Sequence, residues 1–290
     1  MSKSYLVTGG ENAWGQQLIA RIVETGNTVH ALFSSPKLVP MSLLGKINLK
    51  FCFLDLEHET HIDKSLPRIV DIVYHGHTSD TRGKSNSKVF AGNSFSTMQL
   101  LDWAKKVGVK EFILRSSGTV YGGGETAFSE TDRPRPLTFA TSTKYIAEML
   151  AGFYQRHFSI KILRMFCPYG PGVDYGVIHD ILSAIRNDAD FELPYLKLTP
   201  IYVDDIARIM YRVADVEGSM ILNLCGPEVV ELWGVAERIG KHLGKPVRSR
   251  GEPKQSLIGN NQKLVDLLQH SFSTSFGEGM EKMLAGNAGL

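Results

Sequence analysis

A chain of 290 residues with 43% hydrophobic content can fill a substantial core, as one large domain or two unequal ones. Its 32 basic and 30 acidic side chains leave a net charge of +2, and the absence of a basic stripe, a signal-peptide pattern or a bilayer-length apolar run argues against nucleic-acid and membrane partners. The three cysteines, Cys52, Cys167 and Cys225, are odd in number and lack C-x-x-C spacing, which argues against disulfides or structural zinc and predicts a reducing, cytoplasmic setting.

Short apolar runs alternate with longer amphipathic ones through the first half. Strands are predicted at 5–9 (YLVTG), 28–33 (TVHALF), 49–55 (LKFCFLD), 69–75 (IVDIVYH), 111–117 (EFILRSS) and 160–166 (IKILRMF). Helices are predicted from the stretches 14–26, 89–108 and 143–157, whose apolar residues recur at helical spacing. This alternation is that of an α/β fold with a doubly wound parallel sheet.

The turn after the first strand, in LVTGGENAWGQQL, places glycines just before a helix. Backbone N–H groups at such a helix start can hold a pyrophosphate, because glycine permits close approach and the helix dipole favours anions. Gly9 and Gly15 sit at the first and last positions of a G-x-x-G-x-x-G spacing, with Asn12 in the middle. Asparagine tolerates a left-handed backbone, so the turn is expected to survive there with a narrower phosphate approach.

The second strand ends in ALFSSPK, without the carboxylate that holds a ribose 2′-hydroxyl in NAD enzymes. Ser34, Ser35 and the following Lys37 favour NADP over NAD on that ground. Asp55 and His75, at the ends of the third and fourth strands, complete the cofactor-facing candidates. His75 and His77 share a strand face but lack a third ligand, so no metal is expected.

At 167–172 (CPYGPG) the regular alternation stops, which sets a boundary. A dinucleotide-binding domain is predicted for 1–166, with 201–225 packing back onto it, and a substrate domain for 167–200 and 226–290. Helices are expected at 177–185, from YVDD at 202, at 232–243 and at 261–268, with a strand at 220–225. The tail 285–290 (AGNAGL) is read as frayed.

Several stretches together resemble the extended short-chain dehydrogenase/reductase family of the nucleotide-sugar epimerase/dehydratase type. They are DIVYHGHTS, the run NSFSTMQLLDWAKKVGVKEFILRSSGTVYG, ILRMFCPYGPG, IYVDDIARIM and the closing FGEGMEKML. The resemblance spans nearly the whole chain. It implies a Rossmann domain that binds NAD or NADP, a smaller C-terminal substrate domain, a small-molecule substrate, and a homodimer formed through helices of the kind at 89–107 and 143–157. By the same resemblance Ser117 is the catalytic serine, Lys144 the lysine of Y-x-x-x-K, which holds ribose hydroxyls, and Asn93 a supporting residue on the central helix. The tyrosine position is Ala140.

Tyr145 is turned about 100° from Lys144 on the helix, and Thr141, which shares its face, has only an aliphatic hydroxyl. Tyr121 is therefore the first substitute acid/base, and Tyr169 the second; both lie at carboxyl ends of strands. Cys167 stands where the family has asparagine and reads as a packed thiol. Asp204 and Asp205 read as first-turn acids complementing a helix dipole. Lys197 is the one cation in LKLTPIYVDD, where family members carry an arginine that pairs with a diphosphate, which counts against a nucleotide-diphosphate substrate. These features predict an NADP- or NAD-dependent reductase or epimerase with an altered catalytic set. The alternatives are a dinucleotide-binding scaffold or sensor, and a cofactor-independent lyase or cyclase.

Overall fold

The computed structural model describes residues 2–76, 83–250, 255–269 and 272–286; His77 and the last four residues of the tail lie outside them. The chain divides into two compact units. The first comprises 1–120, 136–164 and 207–222, and the second 121–135, 165–206 and 223–290. One change of unit falls between 164 and 165; 121–135 belongs to the second unit, and 207–222 to the first. The reason for the former is local: Gly124 bridges Ser256 and Phe128 bridges Gly259, tying that loop to a distant segment of the second unit.

Six strands form where the alternation placed them: β1 (Ser4–Val7), β2 (Thr28–Phe33), β3 (Leu49–Phe53), β4 (Ile72–His75), β5 (Glu111–Ser117) and β6 (Ser159–Met165). With the strand Met220–Leu224 they make a seven-stranded sheet in the order Met220–Leu224, β6, β5, β4, β1, β2, β3. β1 pairs in parallel with both β2 and β4, so the order reverses between β1 and β4. That is the switch point at whose carboxyl edge ligands bind in such sheets. Every residue of β4 and the five central residues of β5 are buried, as expected for strands covered on both faces.

Helix α1 (Ala13–Glu24) lays Trp14, Leu18, Ile19 and Ile22 against the sheet, a spacing that keeps one apolar stripe inward. The helix predicted for 89–108 is instead three segments: α2 (Asn86–Phe90), a π-helical turn over Ala91–Phe95, and α3 (Ser96–Val107). Two hydroxyls explain the interruption. Ser96 Oγ donates to the Gly92 carbonyl at 2.7 Å and Thr97 Oγ1 to that of Asn93 at 2.6 Å, so both carbonyls are drawn toward side chains four residues on. Gly108, at φ 75°, ends α3 in the left-handed conformation, its N–H bonded to Ala104 O. Helix α4 (Phe139–Gly152) begins with a reciprocal capping box between Thr138 and Thr141.

The second unit carries α5 (Val177–Arg186), α7 (Leu232–Leu243), α8 (Gln262–Leu268) and α9 (Phe276–Gly286), close to the predicted positions. Helix α6 (Val203–Val213) starts with Asp204 and Asp205 in its first turn, as expected for a dipole-complementing start. Among the described residues, no helix is long and apolar enough to cross a membrane.

Candidate functional site

The glycine turn is built so tightly that side chains are excluded from it. Gly9 has φ +78°, and a Cβ there would lie 2.8 Å from the Gly76 carbonyl oxygen. A Cβ on Gly15 would lie 2.2 Å from the Gly9 carbonyl oxygen. Backbone thus packs directly on backbone just before the first turn of α1. Asn12 is extended there, at φ −88°, ψ 149°, and not left-handed as expected, because Gly9 already supplies the positive φ of the turn. Its side-chain Nδ2 folds back to donate to Gly9 O at 3.2 Å, and its backbone N–H donates to the same oxygen at 3.0 Å. The residues present fit a dinucleotide's pyrophosphate: glycines at close-packed backbone, directly ahead of a helix start whose dipole favours anions.

Two bulky residues of this region each face a glycine. Trp14 is fully buried, and a Cβ on Gly76 would fall 1.9 Å from its ring. Phe33, the last residue of β2, reaches the turn in the same way: a Cβ on Gly10 would lie 2.7 Å from its Cζ. Beyond Phe33, the carboxylate of Glu11 crosses from the turn to the end of β2. Its Oε1 accepts from the Ser34 N–H at 2.7 Å and from the Ser34 Oγ at 2.6 Å. The acid missing from β2 is thus present at its end, delivered by the turn, and the sequence argument for NADP loses its premise. Ser35 caps the short helical turn Pro36–Leu38 by accepting from Lys37 N–H. Asp55 accepts from the Glu57 N–H at 2.9 Å and lies 2.9 Å from His58 Nδ1, which shapes the turn after β3.

His75 is buried and engaged at both ring nitrogens. Thr97 donates its proton to Asn93 O, so its Oγ1 accepts from His75 Nε2–H at 3.0 Å. Nδ1 lies 3.0 Å from Thr8 Oγ1, which also accepts from the Gly76 N–H. These contacts tie β1, β4 and the π turn together. His75 also lines the small cavity that holds Lys144.

The π turn carries Asn93 to α4. Asn93 Nδ2 donates to Thr143 Oγ1 at 3.0 Å, while its Oδ1 accepts from Lys144 Nζ at 3.3 Å; Ser94 Oγ donates to the Thr143 carbonyl at 2.7 Å. Lys144 thereby has an anchored partner off its own helix. Its amine faces a small cavity with Arg115, Asn93 and Ser116 in the lining. Burial first, and the Arg115 guanidinium second, push the Lys144 ammonium down from 10.5 to about 7. Arg115 itself is buried at the end of β5, 5.9 Å from the Trp14 ring centroid.

Ser117 ends β5, with its Oγ 2.8 Å from Thr119 Oγ1 and accepting from the Thr119 N–H at 3.2 Å. Its neighbour Ser116 points the other way and donates to Glu148, one helical turn beyond Lys144. Glu148 also accepts from Arg164, Nε at 3.2 Å and Nη2 at 2.7 Å, forming a buried bidentate ion pair. Neither Arg115 nor this pair was singled out in the sequence. An arginine inside an otherwise apolar parallel strand was the available signal for the first.

The substitute acids are all engaged. Thr141 completes the cap of α4. In the second unit, Tyr121 is 1% exposed, stacks on Phe128 at 4.8 Å and donates its hydroxyl to Asn223 Oδ1 at 2.9 Å. Tyr169 packs edge-on to Tyr202, and burial pushes its phenol well above the usual range. Burial likewise raises the Cys167 thiol to about 12. Lys197 pairs at the surface with Glu231 at 3.6 Å.

A parallel sheet reversed between β1 and β4, with a glycine turn at that point, defines a doubly wound α/β fold. The NAD dependent epimerase/dehydratase family matches residues 5–225, and the chain belongs to it. An uncharacterized protein of Methanocaldococcus jannaschii is 28% identical over 56% of this chain, which spans 53% of that relative's length. The dTDP-4-dehydro-6-deoxy-D-allose reductase of a Streptomyces species is 23% identical over 93% of this chain and 90% of its own. The UDP-glucuronic acid 4-epimerase of Bacillus cereus, solved in complex with NAD, superposes with a TM-score of 0.84 at 26% identity, covering 98% of this chain and 96% of that one.

Proposed function

We propose that the protein is an NAD-dependent oxidoreductase or epimerase acting at a carbonyl or secondary hydroxyl of a sugar-like substrate, with an altered catalytic set. Family membership and relatives named for sugar-nucleotide reduction and epimerisation support the reaction class. The observation that carries the reading is the Asn93–Lys144 contact, which presents a positioned amine in the same unit as the glycine cradle.

The nicotinamide, when bound, supplies or accepts a hydride. The turn of Gly9, Gly10 and Gly15 receives the pyrophosphate, and Lys144, steadied by Asn93, hydrogen-bonds ribose hydroxyls. Ser117 donates from Oγ to the substrate oxygen and so favours negative charge developing there. With Ala140 in the tyrosine position and Tyr121 and Tyr169 packed within the second unit, the proton is relayed by water or by Lys144. With Lys197 paired to Glu231, a nucleotide diphosphate, if the substrate carries one, is held by groups other than an arginine ahead of α6. A homodimer through α4 belongs to the same proposal, supported by Met149 and Phe153, which are 46% and 76% exposed on and just after that helix.

The test is turnover of NADH over a panel of nucleotide-linked and free 4-keto sugars by the wild type and by Ala140→Tyr. Slow turnover is expected in the wild type, and acceleration of about a hundred- to ten-thousand-fold in the variant, the usual size of a restored general acid. Absence of turnover in both would favour the second reading, a dinucleotide-binding sensor, for which Ala140 is the supporting observation.

A further inference from the structure

We infer that Glu11 selects the dinucleotide: its carboxylate, held at the end of β2 by Ser34, takes the 2′-hydroxyl of the adenosine ribose and excludes a 2′-phosphate. The inference rests on the cofactor reading above and adds which cofactor, and through which residue.

The end of the second strand lies beside the glycine turn in this architecture, and a carboxylate there recognises an unphosphorylated ribose. The strand itself cannot supply one. Its last side chain, Phe33, is turned into the turn against Gly10, and the residue that follows is Ser34. Glu11 fills the role from the other side of the gap. Two donors from one residue, the N–H and the hydroxyl of Ser34, converge on Oε1 and so orient the exposed carboxylate. A carboxylate has acceptor sites on both oxygens, and Oε2 is the one left to receive ribose hydroxyls.

The same arrangement works against NADP. The Ser34 donors that would otherwise serve a 2′-phosphate are spent on Glu11, and the fixed negative charge would stand against the phosphate's own. Lys37 is the nearest cation in sequence; it is exposed, and its backbone N–H is used in the Ser35 cap. The two features that favoured NADP, the serines and the lysine, are therefore answered by a residue four positions before Gly15, the glycine that closes the turn.

The experiment is equilibrium titration of the full chain with NADH and NADPH, followed by dihydronicotinamide fluorescence, and with ADP-ribose and 2′-phospho-ADP-ribose, followed by calorimetry. Wild type, Glu11→Gln and Lys37→Ala are compared, with thermal unfolding as a check on folding. Wild type is expected to bind NADH at least about ten-fold tighter than NADPH, the scale of one hydrogen bond to a charged group. Glu11→Gln is expected to reduce that ratio about ten-fold, with the same change for the ADP-ribose pair, while Lys37→Ala leaves it unchanged. An unchanged ratio in a folded Glu11→Gln, or a wild type that prefers the 2′-phosphorylated ligands, would overturn the inference while leaving dinucleotide binding intact. A wild type that binds none of the four ligands overturns the cofactor reading and this inference together.

Discussion

At the glycine turn, large side chains meet glycines and an acid meets a strand end: Trp14 faces Gly76, Phe33 faces Gly10, and the Glu11 carboxylate reaches Ser34 at the end of β2. At the lysine, Ala140 stands one helical turn before Lys144, and the nearby hydroxyls of Thr141 and Thr143 are committed to the α4 cap and to Asn93 and Ala140 O. The comparison separates shape from chemistry. The turn is held by bulky side chains packed on glycines, whereas the lysine end holds an amine whose pKa is lowered by burial and by Arg115.

The largest expected effect is in the frame beneath the lysine end. Glu148→Ala leaves the buried Arg164 without its bidentate carboxylate and Ser116 without its acceptor. Breaking a buried pair from one side costs about 3–5 kcal/mol, which denaturant unfolding would read as a lowered midpoint at unchanged slope. A smaller loss would place the pair in contact with solvent. Next comes Gly15→Ala at the turn. Its methyl cannot coexist with a carbonyl oxygen 2.2 Å away, so the backbone must move, at about 1–3 kcal/mol, and dinucleotide binding should be lost with it. If that variant binds normally, the turn is not the cradle described.

Lys144→Met sharpens the contrast by pH. The folded pKa of about 7 lies below the ordinary 10.5, so the folded protein releases this proton before the unfolded chain does. Stability then rises with pH across that interval. Below pH 7 the lysine's full destabilisation is present; it shrinks from 7 to 10.5 and is gone above. Lys144→Met should therefore raise the melting temperature most in mildly acidic buffer, with the gain fading toward pH 10. A pH-independent gain would mean the lysine is charged throughout. The smallest effect belongs to Arg115→Met, which removes only the second cause of the depressed value. Competitive acylation of Lys144, quantified by mass spectrometry, should show its midpoint moving up from about 7 without returning to 10.5.

Much of the frame was legible because it rests on periodicity: six strands, the helices between them and the turn after β1 follow from residues adjacent in sequence. What escaped depends on residues meeting across a gap. Glu11 and Ser34 are 23 positions apart, so the acid that reaches the end of β2 is not carried by β2 itself. The π turn at Asn93 depends on two hydroxyls that donate to carbonyls four residues back. The strand ends near His75 and Tyr121 are visible in periodicity, but the partners of their side chains come from segments distant in sequence.

Titration of the purified chain with NADH, wild type beside Lys144→Ala, tests the central claim most directly. Saturable binding is expected in the wild type, weakened about ten-fold when the amine and its ribose hydrogen bonds are removed. A wild type that shows no saturation, or a variant that titrates identically, would contradict the account.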